Sequence, residues 1–293
     1  MTHAAFRRAA EACAERAAAL RETSLFDAAK PEKKAAARGL RVALLASGSK
    51  GNAAYIELDG TRLLIDAGIS ARRITRALQD LGVDPASLDG VFITHEHSDH
   101  IKGLPTLLKQ YHLPLFARPA TLAAIRESLA VPEDTFSPLA GNIHLGAVCV
   151  KSFPTLHDAA SPVGYSVCGS EKCALATDLG FLTNDVMASI EGADVLILEA
   201  NHDRELLQRG SYPWHLKQRI LSNRGHLSNS AAAWALVRLK QRPQAVFLAH
   251  MSQENNRPEL VEETVRTILR QQNVRQENLL LASQDIPTTW GSF

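Results

Sequence analysis

Thr94-His95-Glu96-His97-Ser98-Asp99-His100 is the stretch that decides the fold. Three imidazoles and two carboxylates fall within seven residues, directly after the apolar run Val91-Phe92-Ile93. A packed core has little use for such a run, because each unpartnered buried polar group costs free energy. Neutral imidazole nitrogens and carboxylate oxygens are good ligands for Zn²⁺ or Mn²⁺, so clustering them makes sense when they share a cation. In an extended segment, side chains two apart point to the same side. His95 and His97 can therefore grip one cation, and once the chain turns, Asp99 and His100 can face a second. The run offers too many donors for one metal and too few for two. Further ligands must come from elsewhere.

Working outward, Val91 to Thr94 reads as a strand with the cluster at its C-terminal end, where ligand sites gather in layered α/β architectures. Upstream, Val42 to Ala46 is a buried strand followed by the small-residue loop Ser47-Gly48-Ser49-Lys50-Gly51-Asn52. Ala54–Leu58 and Arg62–Ile65 flank Asp59-Gly60, a two-residue hairpin signal. Ser70 caps a helix that runs to Leu81 and that Gly82 stops. Downstream, helices are expected at Leu104–Tyr111, Pro119–Ala130, Pro213–Leu221, Ser228–Lys240 and Pro258–Gln271. Sheet is expected at Pro114–Ala117, Ile143–Ser152, Gly164–Cys168, Cys173–Thr177, Val195–Leu198 and Gln244–Ala249. Strands come in a first block and again after the midpoint, each with helices. This order fits two similar halves packed sheet to sheet with helices outside. His157, His202, His226 and His250 stand in polar contexts at strand ends, and Asp178 is a carboxylate at a strand end able to bridge two ions.

The 293 residues are 45% apolar and 22% charged, enough for a substantial core. A net charge of +1 gives no global field toward nucleic acid, so any such contact is a local patch. The four cysteines form no CxxC pair and read as reduced thiols of a cytoplasmic protein, with Cys149 and Cys168 as small core residues. No apolar run approaches the roughly 20 residues that cross a bilayer, so no membrane partner is expected. Residues 1–38 read as a helical or partly disordered extension, with Arg7, Arg8 and Arg16 as an alternative basic arm. One folded domain is expected over 39–293.

SGSKGN at 47–52, LLIDAG at 63–68, THEHSDHIKGL at 94–104, HDAASPVGY at 157–165, ATDLG at 176–180, LEANHD at 198–203, GHLSN at 225–229 and LAHMSQENN at 248–256 occur in that order. Together they resemble the metallo-β-lactamase superfamily and, more narrowly, the YycJ/WalJ-type bacterial hydrolases of its RNase Z-like phosphodiesterase branch. The resemblance covers about residues 40–270. It implies a four-layer αββα sandwich with a dinuclear metal site at one edge. It further implies His95, His97 and His157 on one metal, Asp99, His100 and His250 on the other, and Asp178 bridging them. Asp66 would orient ligands without being one. Glu199 would partner His226, a catalytic histidine outside the ligand set, with the exchange of His226 and His250 left open. The ions are two divalent metals, Zn or Mn, with Fe also compatible.

The activity implied is hydrolysis of a phosphodiester in nucleic acid by a DNA exonuclease of 5′→3′ polarity, with Asp99 and His226 in the chemistry. An RNase Z-like RNA nuclease, a small-phosphodiester hydrolase and a non-catalytic scaffold on the same fold are the competing readings. His3, His112, His144 and His215 lack a polar constellation and read as structural, whereas His202 is divided between a structural and a site-lining role. Glu96 and Ser98 read as spacers. Ser47, Ser49 and Asn52 either contact a phosphate or make a turn. Tyr165 is core or pocket. Arg72, Arg73 and Arg76, and separately Lys217, Arg219 and Arg224, track a phosphate backbone or, more simply, form solvated helix faces. Oligomeric state is not written in the sequence.

Overall fold

Alternation along the strands sets the layers. In β1 (Arg41–Ala46), Val42 and Leu44 enter one apolar cluster while Ala43 and Leu45 enter another on the opposite face. In β11 (Val195–Glu199), Val195 and Ile197 join the first of these clusters, and Leu196 and Leu198 join a third. Such strands are buried on both sides, which fits a sheet lying between another sheet and a helical layer. The structure, a computed structural model, describes residues 39–293. The extension expected over 1–38, including Arg7, Arg8 and Arg16, lies outside the described residues.

One seven-stranded sheet contains β1, β2 (Ala53–Leu58), β3 (Thr61–Ile65), β4 (Gly90–Phe92), β5 (Leu115–Ala117), β6 (Phe136–Pro138) and β14 (Thr288–Trp290), in the order 14-1-2-3-4-5-6. The other contains β7 (Ile143–Leu145), β8 (Val148–Pro154), β9 (Val163–Cys168), β10 (Lys172–Ala176), β11, β12 (Ala245–Ala249) and β13 (Asn278–Leu281), in the order 13-12-11-10-9-8-7. Each sheet begins with antiparallel pairs, β1-β2-β3 and β8-β9-β10, and then continues in parallel. The two halves therefore repeat one plan. Val42, Ile56, Phe92, Tyr165, Ile197 and Phe247 pack between the sheets. Outside the first sheet lie α1 (Ala71–Asp80), α3 (Leu104–Tyr111) and α4 (Pro119–Ser128), which bury Ile74, Leu107 and Ile125. Outside the second lie α5 (Asn184–Ile190), α8 (Asn229–Arg238) and α9 (Pro258–Gln271), which bury Val186, Leu236 and Val265. The architecture is the expected αββα sandwich.

Several expectations need correction. Ile143–Ser152 is two strands, because Gly146 takes a φ of +58° and turns the chain back between β7 and β8. The short elements α2 (Ser98–Ile101), α5, α6 (Arg204–Arg209), β6, β13 and β14 were not anticipated, being too short to show a period. Cys149 and Cys168 are half-buried rather than core residues. They face each other across β8 and β9, out of phase with inward-facing Val148 and Val150, while Cys173 is the buried thiol. Tyr165 is core: its ring meets Phe92 edge-on and its hydroxyl donates to Ile93 O at 2.6 Å.

Candidate metal centre

The polar side chains collect at one edge because both sheets deliver them at C-terminal strand ends. Ser47 follows β1, Asp66 follows β3, the histidine run follows β4, Asp178 follows β10, Glu199 closes β11 and His250 follows β12. Asp66, Asp178 and His250 all have positive φ (62°, 54° and 56°). That region is costly for residues with a Cβ and concentrates at functional sites. Gly68 lets the turns interlock: Gly68 N donates to Asn52 O and Asn52 N to Asp99 O. A Cβ on Gly68 would fall 1.5 Å from Asp99 O.

Within this frame the donor atoms fall into four groups: two share no residue, and two others, His95-His100-Asp178 and Asp178-Glu199-His226-His250, link them. His95, His97 and His157 make the first, with ring centroids 4.5–5.1 Å apart. Asp99, His100 and His250 make the second, with His100 Nε2 3.5 Å and His250 Nε2 3.8 Å from Asp99 Oδ2. Asp178 lies between them. Its Oδ1 is 3.5 Å from His250 Nε2 and 3.9 Å from His157 Nε2, and its Oδ2 is 3.4 Å from His100 Nε2. Asp178 Oδ2 and His250 Nε2 are buried and lack a hydrogen-bond partner among the described residues. Orphaned buried polar atoms are expensive. A shared divalent cation would satisfy them, and this oxygen and nitrogen donor set suits one.

The far sides of the His100, His157, His226 and His250 rings are held. Asp66 accepts from Thr94 N at 2.8 Å, from Thr94 Oγ1 and from His100 Nδ1 at 2.8 Å. His157 Nδ1 donates to Gly225 O at 3.3 Å. Glu199, fully buried, uses one oxygen for two rings: Oε1 accepts from His226 Nδ1 at 2.7 Å and His250 Nδ1 at 2.9 Å. Its Oε2 accepts from Leu179 N and Leu227 N, each at 3.1 Å. A carboxylate only accepts, so both rings carry their proton on Nδ1 and turn Nε2 toward the centre. Burial and the neighbouring imidazoles hold His95 well below the usual histidine range. Burial works against a raised pKa at His100 and His250, yet the carboxylates around them win; Asp66 and Asp178 dominate at His100, and Asp178, Asp99 and Glu199 lift His250 to about 10. The same attraction outweighs burial at Glu199 and lowers it.

A family model described as a beta-lactamase superfamily domain matches residues 61–251, which span all of these donors. The chain belongs to this superfamily. It is 40% identical over 234 residues to exodeoxyribonuclease WalJ of Streptococcus pneumoniae, covering 78% of this chain and 87% of that one. It is 38% identical over 236 residues to exodeoxyribonuclease YycJ of Bacillus anthracis, covering 79% and 89%. Among solved structures, the metallo-β-lactamase fold protein YhfI of Bacillus subtilis superposes with a TM-score of 0.64 over 86% of this chain and 99% of its own, at 14% identity. That likeness shows the fold.

The superfamily centre opens into a cleft of about 250 Å³. His97, Asp99, Asp178, His226 and His250 form one wall. Tyr212, Leu216, Arg219, Ile220 and Arg224, in and beside α7 (Trp214–Ile220), also line it. Ser49 reaches the cleft, whereas Ser47 Oγ accepts from His250 N at 2.8 Å and so supports the loop that carries His250. Asn52 Nδ2 lies 3.2 Å from His100 Nε2, beside the Asp99-His100-His250 group. Glu96 is more than a spacer: its Oε1 accepts from Ala160 N at 2.6 Å and ties down the loop carrying His157. His202 is buried but does not line the cleft, and neither ring nitrogen has a partner among the described residues. His112, His144 and His215 are at the surface away from the centre. Lys217 is spent on the carbonyls of Gln208 and Gly210, whereas Arg219 and Arg224 are exposed and face the cleft. Tyr212, Leu216 and Ile220 escaped sequence reading altogether. Leu216 and Ile220 carry only the i, i+4 spacing that any amphipathic helix shows, and Tyr212 precedes the helix. No helix among the described residues is long and apolar enough to cross a membrane.

Proposed function

We propose that this chain is a dinuclear-metal-dependent phosphodiesterase that degrades DNA from an end, a 5′→3′ exodeoxyribonuclease. The observation that carries the reading is the pair of donor clusters meeting at Asp178, beside two histidines locked to one buried carboxylate at an open cleft. The names of the WalJ and YycJ relatives, with identity over most of both chains, support DNA as the polymer. Three free thiols, Cys149, Cys168 and Cys173, agree with a reducing cytoplasm as the place of action.

In this reading His95, His97 and His157 would hold one cation and Asp99, His100 and His250 the other, with Asp178 shared. The ions are Zn²⁺ or Mn²⁺, and Fe also suits such ligands. When bound, the pair supplies a lowered pKa for the attacking water and neutralises charge on the phosphoryl oxygens. The chain's own residues do the rest. Asp99, half-buried on the cleft wall, accepts a hydrogen bond from the water and orients it. His226 lines the cleft at 21% exposure, so its Nε2 faces substrate while Glu199 holds Nδ1. With Nδ1–H held by Glu199 and a second proton on Nε2, the imidazolium donates a hydrogen bond to the phosphoryl oxygen or that Nε2 proton to the leaving oxygen. His250 is only 3% exposed and its Nε2 points among Asp99 and Asp178, which favours it over His226 as the last ligand.

The test is a time course with end-labelled single- and double-stranded DNA and RNA, with Mn²⁺ or Zn²⁺, beside Asp99→Ala. The expected result is stepwise loss of nucleotides from the 5′ end of DNA, reduced about 100-fold or more in the variant. Preferential digestion of RNA, an endonucleolytic ladder, or full activity in Asp99→Ala would overturn the proposal.

A further inference from the structure

Away from the metal centre, one row of side chains crosses the second sheet. The register places His144 of β7 opposite Cys149 of β8, Cys149 opposite Cys168 of β9, and Cys168 opposite Lys172 of β10. Val148, Val150 and Val167 pack between the sheets, so strand alternation turns the two cysteines to the outer, helix-covered face. Helix α5 covers a neighbouring part of that face, where Ser166 Oγ donates to Ser189 O at 2.9 Å. The helix stops at Ile190, and Lys172 Nζ donates to Glu191 O at 2.6 Å just past its end. Cys149 and Cys168 are left half-buried, with free thiols.

Whether two facing thiols can be joined depends on the kind of pair they form. Thr155 N donates to Pro162 O at 3.1 Å, so the pair next after Pro154 and Val163 is a hydrogen-bonded one. Hydrogen-bonded and non-hydrogen-bonded pairs alternate along an antiparallel ladder. The register runs unbroken from there to Cys149 and Cys168, which alternation makes a hydrogen-bonded pair. Gly169 agrees, because its N–H donates to Glu171 O on the β10 side and the N–H of Cys168 therefore turns to β8. In such a pair the Cα atoms lie about 5.5 Å apart, inside the roughly 4.4–6.8 Å that disulfides span. The Cβ atoms of facing residues lie about 4.5–5.5 Å apart, against about 3.5–4.5 Å in a disulfide. A bond must draw the strands together by about 1 Å. It is within reach but strained, and strained disulfides are the readily reduced ones.

We propose that Cys149 and Cys168 form a reversible cross-strand disulfide, a redox-responsive clasp on the hairpin that carries His157 between β8 and β9. Lys172 stands next to Cys168 in the row, and Lys151 follows Cys149 by two residues on the same face. Partly exposed, electropositive surroundings of this kind are where reactive thiols occur. Cys173 points between the sheets, where burial pushes its thiol up and keeps it out of the exchange. The oxidant is a low-molecular-weight disulfide of the glutathione class. One cysteine thiolate attacks a sulfur of that disulfide, giving a mixed disulfide and one released small thiol. The facing thiolate then attacks the protein-bound sulfur and releases the second. One S–S bond breaks and one forms, two electrons pass to the oxidant, and the two cysteine protons leave on the small thiols. Cytoplasmic disulfides of this transient kind serve redox sensing. Neither thiol is among the metal donors, so the proposal goes beyond the exonuclease reading and does not rest on it.

The reduced, metal-loaded full chain is incubated with oxidised glutathione, quenched in acid, alkylated and weighed by mass spectrometry. Two of the four cysteines are expected to escape alkylation with no glutathione retained, and proteolysis yields a peptide joining Cys149 to Cys168. Dithiothreitol restores both thiols. Cys149→Ser and Cys168→Ser each keep glutathione on the remaining partner, because no facing thiol displaces it. Amide exchange across β8 and β9 slows on oxidation and recovers on reduction, since the closed ring restrains local opening. Glutathione retained on both cysteines of the wild type, thiols that stay unmodified, or a bond to any other cysteine would overturn the disulfide. Unchanged amide exchange in the oxidised chain would overturn the clasp. DNA digestion by the reduced chain is scored separately, so failure of the exonuclease reading leaves this comparison intact.

Discussion

Glu199→Gln tests the electrostatic arrangement at the centre of the site with the removal of one charge and almost no change of volume. In the native chain Oε1 accepts from two imidazole Nδ1–H groups and Oε2 accepts from two backbone N–H groups. An amide has one oxygen, so the NH₂ end must face two donors whichever way it is turned. If it faces Leu179 and Leu227, two buried backbone donors lose their acceptor. If it faces the rings, His226 and His250 lose theirs, and each must switch tautomer or turn. Leaving a buried donor unsatisfied costs about 1–3 kcal/mol, so either orientation costs at least about 2 kcal/mol. For a chain of this size that lowers Tm by on the order of 4 °C or more. The second orientation also misdirects both Nε2 atoms, so activity falls with it. Thermal unfolding with and without chelator, metal content and exonuclease rate form the assay. Unchanged Tm, full metal occupancy and full activity in Glu199→Gln together would refute the reasoning.

The neighbouring histidines separate cleanly in the same assays. His250→Ala loses about one metal per chain with its activity, whereas His226→Ala keeps its metal and loses roughly 100- to 10,000-fold in rate; metal loss in His226→Ala alone reverses the assignment. Gly68→Ala forces the Asp66 turn away from Asp99 O, at a cost of about 1–3 kcal/mol from overpacking and with weakened metal retention; a variant as stable as wild type in denaturant contradicts the close approach. Asp59 accepts from Ser170 Oγ and Ser170 N, and these bonds lower its pKa. A depressed folded-state pKa stabilises above the ordinary carboxylate range and stops doing so as pH falls through the lowered value. The stability gap between wild type and Asp59→Asn should therefore close on acidification, and a gap that widens toward acid pH rules this out.

The reach of the sequence is clearest in elements whose information is local. Val91–Ile93 followed by the polar run marks a strand ending in a site, because polarity and alternation are properties of covalent neighbours. Asp59-Gly60 marks its hairpin and Gly82 its helix end, since both positions need positive φ, observed at 49°, 80° and 72°. Even the two-halved plan shows in the repeated order of strands and helices. Other features exist only once distant strands pair. The sequence does not say that Glu199 serves both His226 and His250, because that depends on β11 and β12 lying side by side with Glu199 level with Ala249. The meeting of His100 from one sheet with Asp178 and His250 from the other depends on the sheets packing face to face. Ile220 joins His226 in lining one cleft because Gly225 allows the end of α7 to sit against the His226 turn. Local propensity is written in neighbouring residues, whereas convergence at a site is decided by which strands pair and which backbones come into contact.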